Sequence, residues 1–139
     1  MMFFGKKEDK NKNLSFIKIA ALLIHAAKID EEYTDEEEKI IKQTLLDLGA
    51  NEKELDMLID NAKKSEEESN QILNFTKEIK NLDKKEKINI IKSLWKIIYS
   101  NNSADIYETN LMRRLAGLLY IDAATMGEIK EKIKKNLSK

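Results

Sequence analysis

The stretch Leu94-Trp-Lys-Ile-Ile-Tyr-Ser-Asn-Asn-Ser-Ala-Asp-Ile-Tyr-Glu-Thr-Asn-Leu-Met-Arg-Arg-Leu-Ala-Gly-Leu-Leu119 decides the fold. Its opening extends an apolar stripe that starts at Ile88 and runs through Ile91, Leu94, Trp95 and Ile98. Ile90 and Ile97 broaden it. A helix that is apolar on most of its circumference belongs in an interior. The polar run Ser100 to Ser103 reads as a turn. Asp105-Ile-Tyr-Glu108 then reads as a capping box: the first side chain accepts from the amide three residues on, and the Glu reaches back. Leu111, Met112, Leu115, Leu118 and Leu119 follow at helical spacing.

The chain repeats this arrangement. A shift of 71 places Leu23 on Leu94, Asp30 on Asn101, Thr34 on Asp105 and Glu37 on Glu108. It also places Ile40 on Leu111, Leu48 on Leu119 and Asn51 on Asp122. Apolar coincidences are cheap in helical chains. Caps aligned at one offset are not. The reading is therefore two three-helix units built around two buried helices, one from about Leu14 to Ile29 and one from Ile88 to Tyr99.

The remaining elements fit between these landmarks. Thr34-Asp-Glu-Glu37 opens a second helix that Gly49 stops, and Asn51-Glu-Lys-Glu54 opens a third. The third is expected to end in the charge run Lys63–Ser69, read as a solvated end and linker. A linking helix is expected from about Glu68 to Leu82, carrying Ile72, Phe75 and Ile79. Asp83-Lys-Lys-Glu86 opens the fifth helix, and a seventh follows Asp122 with Met126, Ile129 and Ile133 inward. The expected fold class is all-α: seven helices in a compact bundle, two pseudo-repeated three-helix units joined by a linking helix.

Composition agrees. The chain has 139 residues, no proline and four glycines, which suits helices better than a turn-rich β architecture. Its length fits one domain, expected over residues 14–139. Residues 1–13, with Phe3 and Phe4 ahead of a Lys-rich run, are expected to be a flexible terminus. Two aromatics give at most a marginal hold on a membrane surface. No apolar run reaches the ~20 residues of a transmembrane helix. There is no cysteine, hence no disulfide or thiolate metal site. Net charge is zero and Arg113 and Arg114 are the only arginines, which argues against nucleic acid as a partner.

At these residues the chain resembles the TerB-like family, tellurite-resistance proteins related in fold to the N-terminal domain of the DjlA co-chaperone. The family mark is a helix ending in Ala-x-Ala-Asp-Gly followed by an acidic helix start, with Glu seven residues after the Asp. The first copy here is Ala26-Ala-Lys-Ile-Asp30 through Glu37, with Glu31 in place of Gly. In the second copy Asn101 replaces Asp, Asn102 replaces Gly, and Glu108 is kept. The resemblance spans Leu14 to Leu137. It implies a cytoplasmic bacterial protein tied to metal or oxidative stress, without a known reaction.

Two functional classes follow. One is a non-enzymatic interaction or adaptor module that engages another protein. The alternative is a metal-assisted hydrolase using the carboxylate cluster. Crowded carboxylates suit Ca²⁺ or Mg²⁺, which take oxygen ligands. If the two polar turns meet at one end of the bundle, Asp30, Glu37, Asp105 and Glu108 are the candidate ligands. Carboxylates in a first helical turn are also what the helix dipole favours. The EF-hand pattern fails, because Ile41 stands where the twelfth-position Glu belongs. His25, the single histidine, is expected on a helix flank. Trp95 is expected in the core rather than at an interface. Tyr99, Tyr107 and Tyr120 are expected half-buried, and Arg113-Arg114 paired with nearby acids.

Overall fold

The computed structural model describes the backbone of residues 2–30, 33–69, 71–100 and 106–137, with side chains over 12–29, 33–69, 71–100 and 110–136. Among these, seven α-helices are α1 (Met2–Ala27), α2 (Asp35–Asp47), α3 (Leu55–Glu68), α4 (Leu73–Ile79), α5 (Lys84–Tyr99), α6 (Ile106–Leu118) and α7 (Ala123–Leu137). Short 3-10 turns, Lys28–Asp30 and Glu52–Glu54, lead out of α1 and into α3. No described residue lies in a strand.

The two all-round apolar helices are at the centre. In α1, the consecutive residues Ala20, Ala21, Leu22, Leu23 and Ile24 are all buried. In α5, Ile90, Ile91, Leu94, Trp95, Ile97 and Ile98 are buried as well. The helices pack on each other. α3 lies against α1 and α7 lies against α5, which gives the two units their matching cores. α2 bridges them by packing on both α1 and α5. Thr44 on α2 and Ser93 on α5 are buried there with their hydroxyls hydrogen-bonded to each other. One of the two supplies the proton between them, and the other donates to the carbonyl four residues before it, Ile40 for Thr44 or Asn89 for Ser93. Such hydroxyls are tolerable in a core because they are bonded.

The repeat extends to the backbone of the turns. At the end of α2, Gly49 has φ 106°. The Gly49 amide donates to Leu46 and the Ala50 amide to Leu45. At the end of α6, Tyr120 has φ 59°. Its amide donates to Gly117 and the Ile121 amide to Ala116. These are the paired bonds of a Schellman helix stop. Adding 71 to each residue of the first turn gives the second.

Three local expectations are corrected. Helical backbone runs back to Met2, well before Leu14, because a proline-free run carrying four lysines needs no apolar stripe to favour helix. The charge run from Lys63 to Glu68 is not a linker but the last turns of α3. Glu66 in that run faces α1, 2.8 Å from Lys28 Nζ and 3.4 Å from His25 Nδ1. α4 is accordingly shorter than expected. The Ser69 hydroxyl interrupts the helix by accepting from the Gln71 amide and the Asn74 side chain. α4 also does more than link: Ile72, Phe75 and Ile79 are buried and the helix packs along α1.

Candidate functional site

The acidic start of α2 was the expected cation site, and its capping geometry is explicit. Thr34 Oγ1 accepts from the Glu37 amide at 3.1 Å, and Glu37 Oε1 accepts from the Thr34 amide at 2.8 Å. The Thr34 hydroxyl donates to the same carboxylate oxygen at 3.0 Å. Glu37 is only 1% exposed. Asn51 and Asp83 supply forward caps, accepting from the Lys53 and Glu86 amides respectively. Hydrogen bonds from Thr125 hold the Asp122 carboxyl at the start of α7 below the usual carboxylate range.

The neighbouring Glu38 anchors an ion-pair network between α2 and α3. Its carboxylate lies 3.1 Å from Lys63 and 3.8 Å from Lys42, and Lys42 lies 3.2 Å from Asp56. Burial pushes the Glu38 carboxyl up, but Lys63, Lys42 and the Tyr33 hydroxyl together bring it below its ordinary value. Burial, reinforced by Glu38 and Glu37, pushes the Tyr33 hydroxyl far above the ordinary tyrosine value.

Of the four candidate cation ligands, Glu37 alone has a described side chain. Asp105 and the side chains of Asp30 and Glu108 lie outside the described residues, as does the Tyr107 side chain. Among the described residues no group of three or more His, Cys, Asp or Glu side chains is arranged to hold a metal. His25 is on a helix flank, 38% exposed beside Glu66. None of the described ion pairs involves Arg113 or Arg114, and both are exposed, contrary to the pairing expected for them.

Sequence reading missed a groove on the opposite unit. Trp95 of α5, Met112 and Ala116 of α6, and Ala123, Met126 and Gly127 of α7 line a cavity of about 210 Å³ open to solvent. Arg113 and Lys130 complete its lining. Trp95 is core, as expected, at 3% exposure, yet its ring also forms part of this wall. Tyr99 stacks on it with ring centroids 5.9 Å apart, and Lys130 Nζ lies 5.4 Å from the ring centroid. The Trp95 Nε1–H is buried without a hydrogen-bond partner. Such an orphan donor is uncommon in a folded protein. The sequence signal was Gly127 within an otherwise amphipathic helix, a position where glycine costs stability unless it leaves room for something. A Cβ built on Gly127 meets nothing within 4 Å.

Tyr120 also departs from expectation. It is 75% exposed rather than half-buried, at the α6–α7 corner. Lys87 lies 5.7 Å from its ring centroid and donates to the Leu119 carbonyl at 3.1 Å.

Among the described residues no helix is long and apolar enough to cross a membrane. No curated protein and no solved structure matches the chain. One protein family does, that of tellurite resistance protein TerB, over residues 16–131. This span takes in the buried part of α1, all of α5, both Schellman stops and every residue lining the groove. With the paired three-helix architecture, it shows that the chain belongs to the TerB family.

Proposed function

We propose that this protein is a non-enzymatic interaction module, cytoplasmic, acting in a tellurite or related metal and oxidative stress response. The groove of α5, α6 and α7 carries the reading. Its lining is apolar apart from two cations, Arg113 and Lys130. It contains no hydroxyl, thiol, imidazole or carboxylate to act as nucleophile or base. An apolar depression with a few polar groups at its edge is how protein interfaces seat an anchor residue. The stress assignment is drawn from the family description. No arrangement among the described carboxylates favours the metal-assisted hydrolase.

The test is affinity capture from the source cell, with and without tellurite, using the unmodified chain and Gly127→Leu. Leucine at this position fills the groove where the structure has room for a side chain. A protein captured by the first and lost with the second is the expected result. Equal capture by both would move the interaction to another face, and turnover of a substrate by the purified protein would end the non-enzymatic reading.

A further inference from the structure

The internal repeat supplies a comparison for the groove, because every residue lining it has a counterpart in the first unit. Subtracting 71 takes Trp95 to Ile24, Met112 to Ile41 and Met126 to Leu55, all buried apolar residues. Four other counterparts differ in kind. Ala116 corresponds to Leu45, Lys130 to Ile59, Gly127 to Asp56 and Ala123 to Glu52. Leu45 and Ile59 are buried, so the first unit fills with aliphatic side chains the space that the second leaves open.

The charge pattern differs in the same place. In the first unit Lys42 Nζ lies 3.2 Å from the Asp56 carboxylate, tying α2 to α3. Arg113 is the counterpart of Lys42, and Gly127 stands where the acid would be. The cation is kept and its carboxylate is gone, together with the apolar volume beneath it.

We infer that the groove is a receptor for an acidic, apolar segment of a partner protein. The segment seats one large apolar side chain over Trp95 and a carboxylate against Arg113 and Lys130. This rests on the interaction-module reading and specifies its partner. A cavity of about 150 Å³ is enough to take up benzene, so this groove admits one aromatic or branched aliphatic side chain. It is open, whereas small-molecule sites enclose most of their ligand. That favours an anchor presented by a larger surface. Guanidinium recognises carboxylate with two parallel hydrogen bonds.

The experiment selects phage-displayed random 12-residue peptides on the purified full chain. Recovered sequences, synthesised without tryptophan, are titrated by the emission of Trp95, the chain's only tryptophan. Selected peptides are expected to combine Asp or Glu with Phe, Leu, Ile or Met. Gly127→Leu, which fills the space, should weaken them at least tenfold. Gly127→Asp, which restores the first unit's acid opposite Arg113, should weaken them about tenfold relative to Gly127→Asn, which adds nearly the same volume without charge. Far-UV circular dichroism checks that each variant is folded. Basic or purely apolar selected peptides, or equal affinity for the Asp and Asn variants, would overturn the acidic partner. If Gly127→Leu still abolished cellular capture, the interaction-module reading would stand without it. Concentration-dependent self-association in sedimentation, lost in Gly127→Leu, would replace the partner with a second copy of the chain and overturn the inference.

Discussion

Gly49 and Gly127 form a paired test of how backbone conformation, rather than available space, sets the value of a glycine. Neither has an atom within 4 Å of where a Cβ would stand. Gly127 lies inside α7 without a positive φ, whereas Gly49 has φ 106°. In a helix interior glycine is less favourable than alanine by about 0.8–1.0 kcal/mol, largely through backbone entropy. Nothing steric offsets that at Gly127, and the new methyl group would sit on an open wall and gain little burial. Gly127→Ala should therefore stabilise the protein by about 0.8 kcal/mol. Gly49→Ala restricts the unfolded chain too, a gain of about 0.4–1 kcal/mol. Against it stands a left-handed conformation that costs an L-residue about 1–2 kcal/mol even at its minimum, and 106° is well away from that minimum near +57°. The net expectation is a loss of about 1 kcal/mol. Urea unfolding followed by far-UV circular dichroism measures both. With a slope of about 1–3 kcal/mol/M, the midpoints should move in opposite directions by several tenths molar at unchanged slope. A Gly127→Ala midpoint at or below that of the unmodified protein would refute the reasoning, since it would mean the space beside Gly127 is already taken in solution.

Trp95→Ala should cost about 3–5 kcal/mol, the usual range for truncating a buried large aromatic; a loss under about 1 kcal/mol in the same urea assay would mean the ring is not part of the core. Stability should fall on acidification partly through Glu38. Its carboxyl is lower in the folded state, so its contribution is complete above the ordinary carboxylate range and is lost as pH drops through the folded value. Glu38→Gln should flatten that acid limb, by no more than about 1 kcal/mol because surface ion pairs contribute little; an unchanged limb would show that the pairs with Lys63 and Lys42 contribute nothing. A cation held by Asp30, Glu37, Asp105 and Glu108 would raise the melting temperature in millimolar Ca²⁺ or Mg²⁺ relative to EDTA, and Asp30→Asn with Glu37→Gln would abolish the rise. Equal midpoints for the unmodified protein would leave these acids as helix starts.

The architecture was legible because its determinants are local. Thr34, Asn51 and Asp83 bond to amides two or three residues away, and periodicity alone marked α1 and α5 as central. What sequence reading missed depends on distant partners. The Lys63–Glu68 run looked like linker because the partners of Glu66, His25 and Lys28, are about forty positions away and become neighbours only when α3 packs on α1. The groove was missed for a related reason. The shift of 71 was read for its agreements, whereas Ala116 against Leu45 and Gly127 against Asp56 are disagreements at otherwise matched positions. Gly127 opposite the exposed Asp56 is a deletion of charge, and Ala116 opposite the buried Leu45 is a deletion of volume. It becomes visible as a cavity only when Met112, Met126 and Trp95 are seen to surround it.

The α6–α7 corner extends this divergence. Gly49 and Tyr120 hold the same place in the same helix stop, yet the second unit puts a tyrosine where the backbone favours glycine. The side chain does not offset that cost by burial, since it is 75% exposed. Part of the compensation comes from Lys87, which caps the end of α6 through the Leu119 carbonyl and lies beside the Tyr120 ring. Residues kept in sparsely populated backbone regions concentrate where function outweighs stability. Gly127 makes a similar sacrifice in α7, a helix-interior glycine where an alanine would be more stable. Both fall in the second unit, three and four residues either side of Ala123 in the groove wall. The first unit holds the favourable choice at each equivalent position: glycine at the turn, and an acid paired with Lys42 in the helix. One half of the molecule has thus kept the arrangement that stabilises the fold. The other half has given up stability at two positions close in sequence, one of them in the groove where a partner is expected.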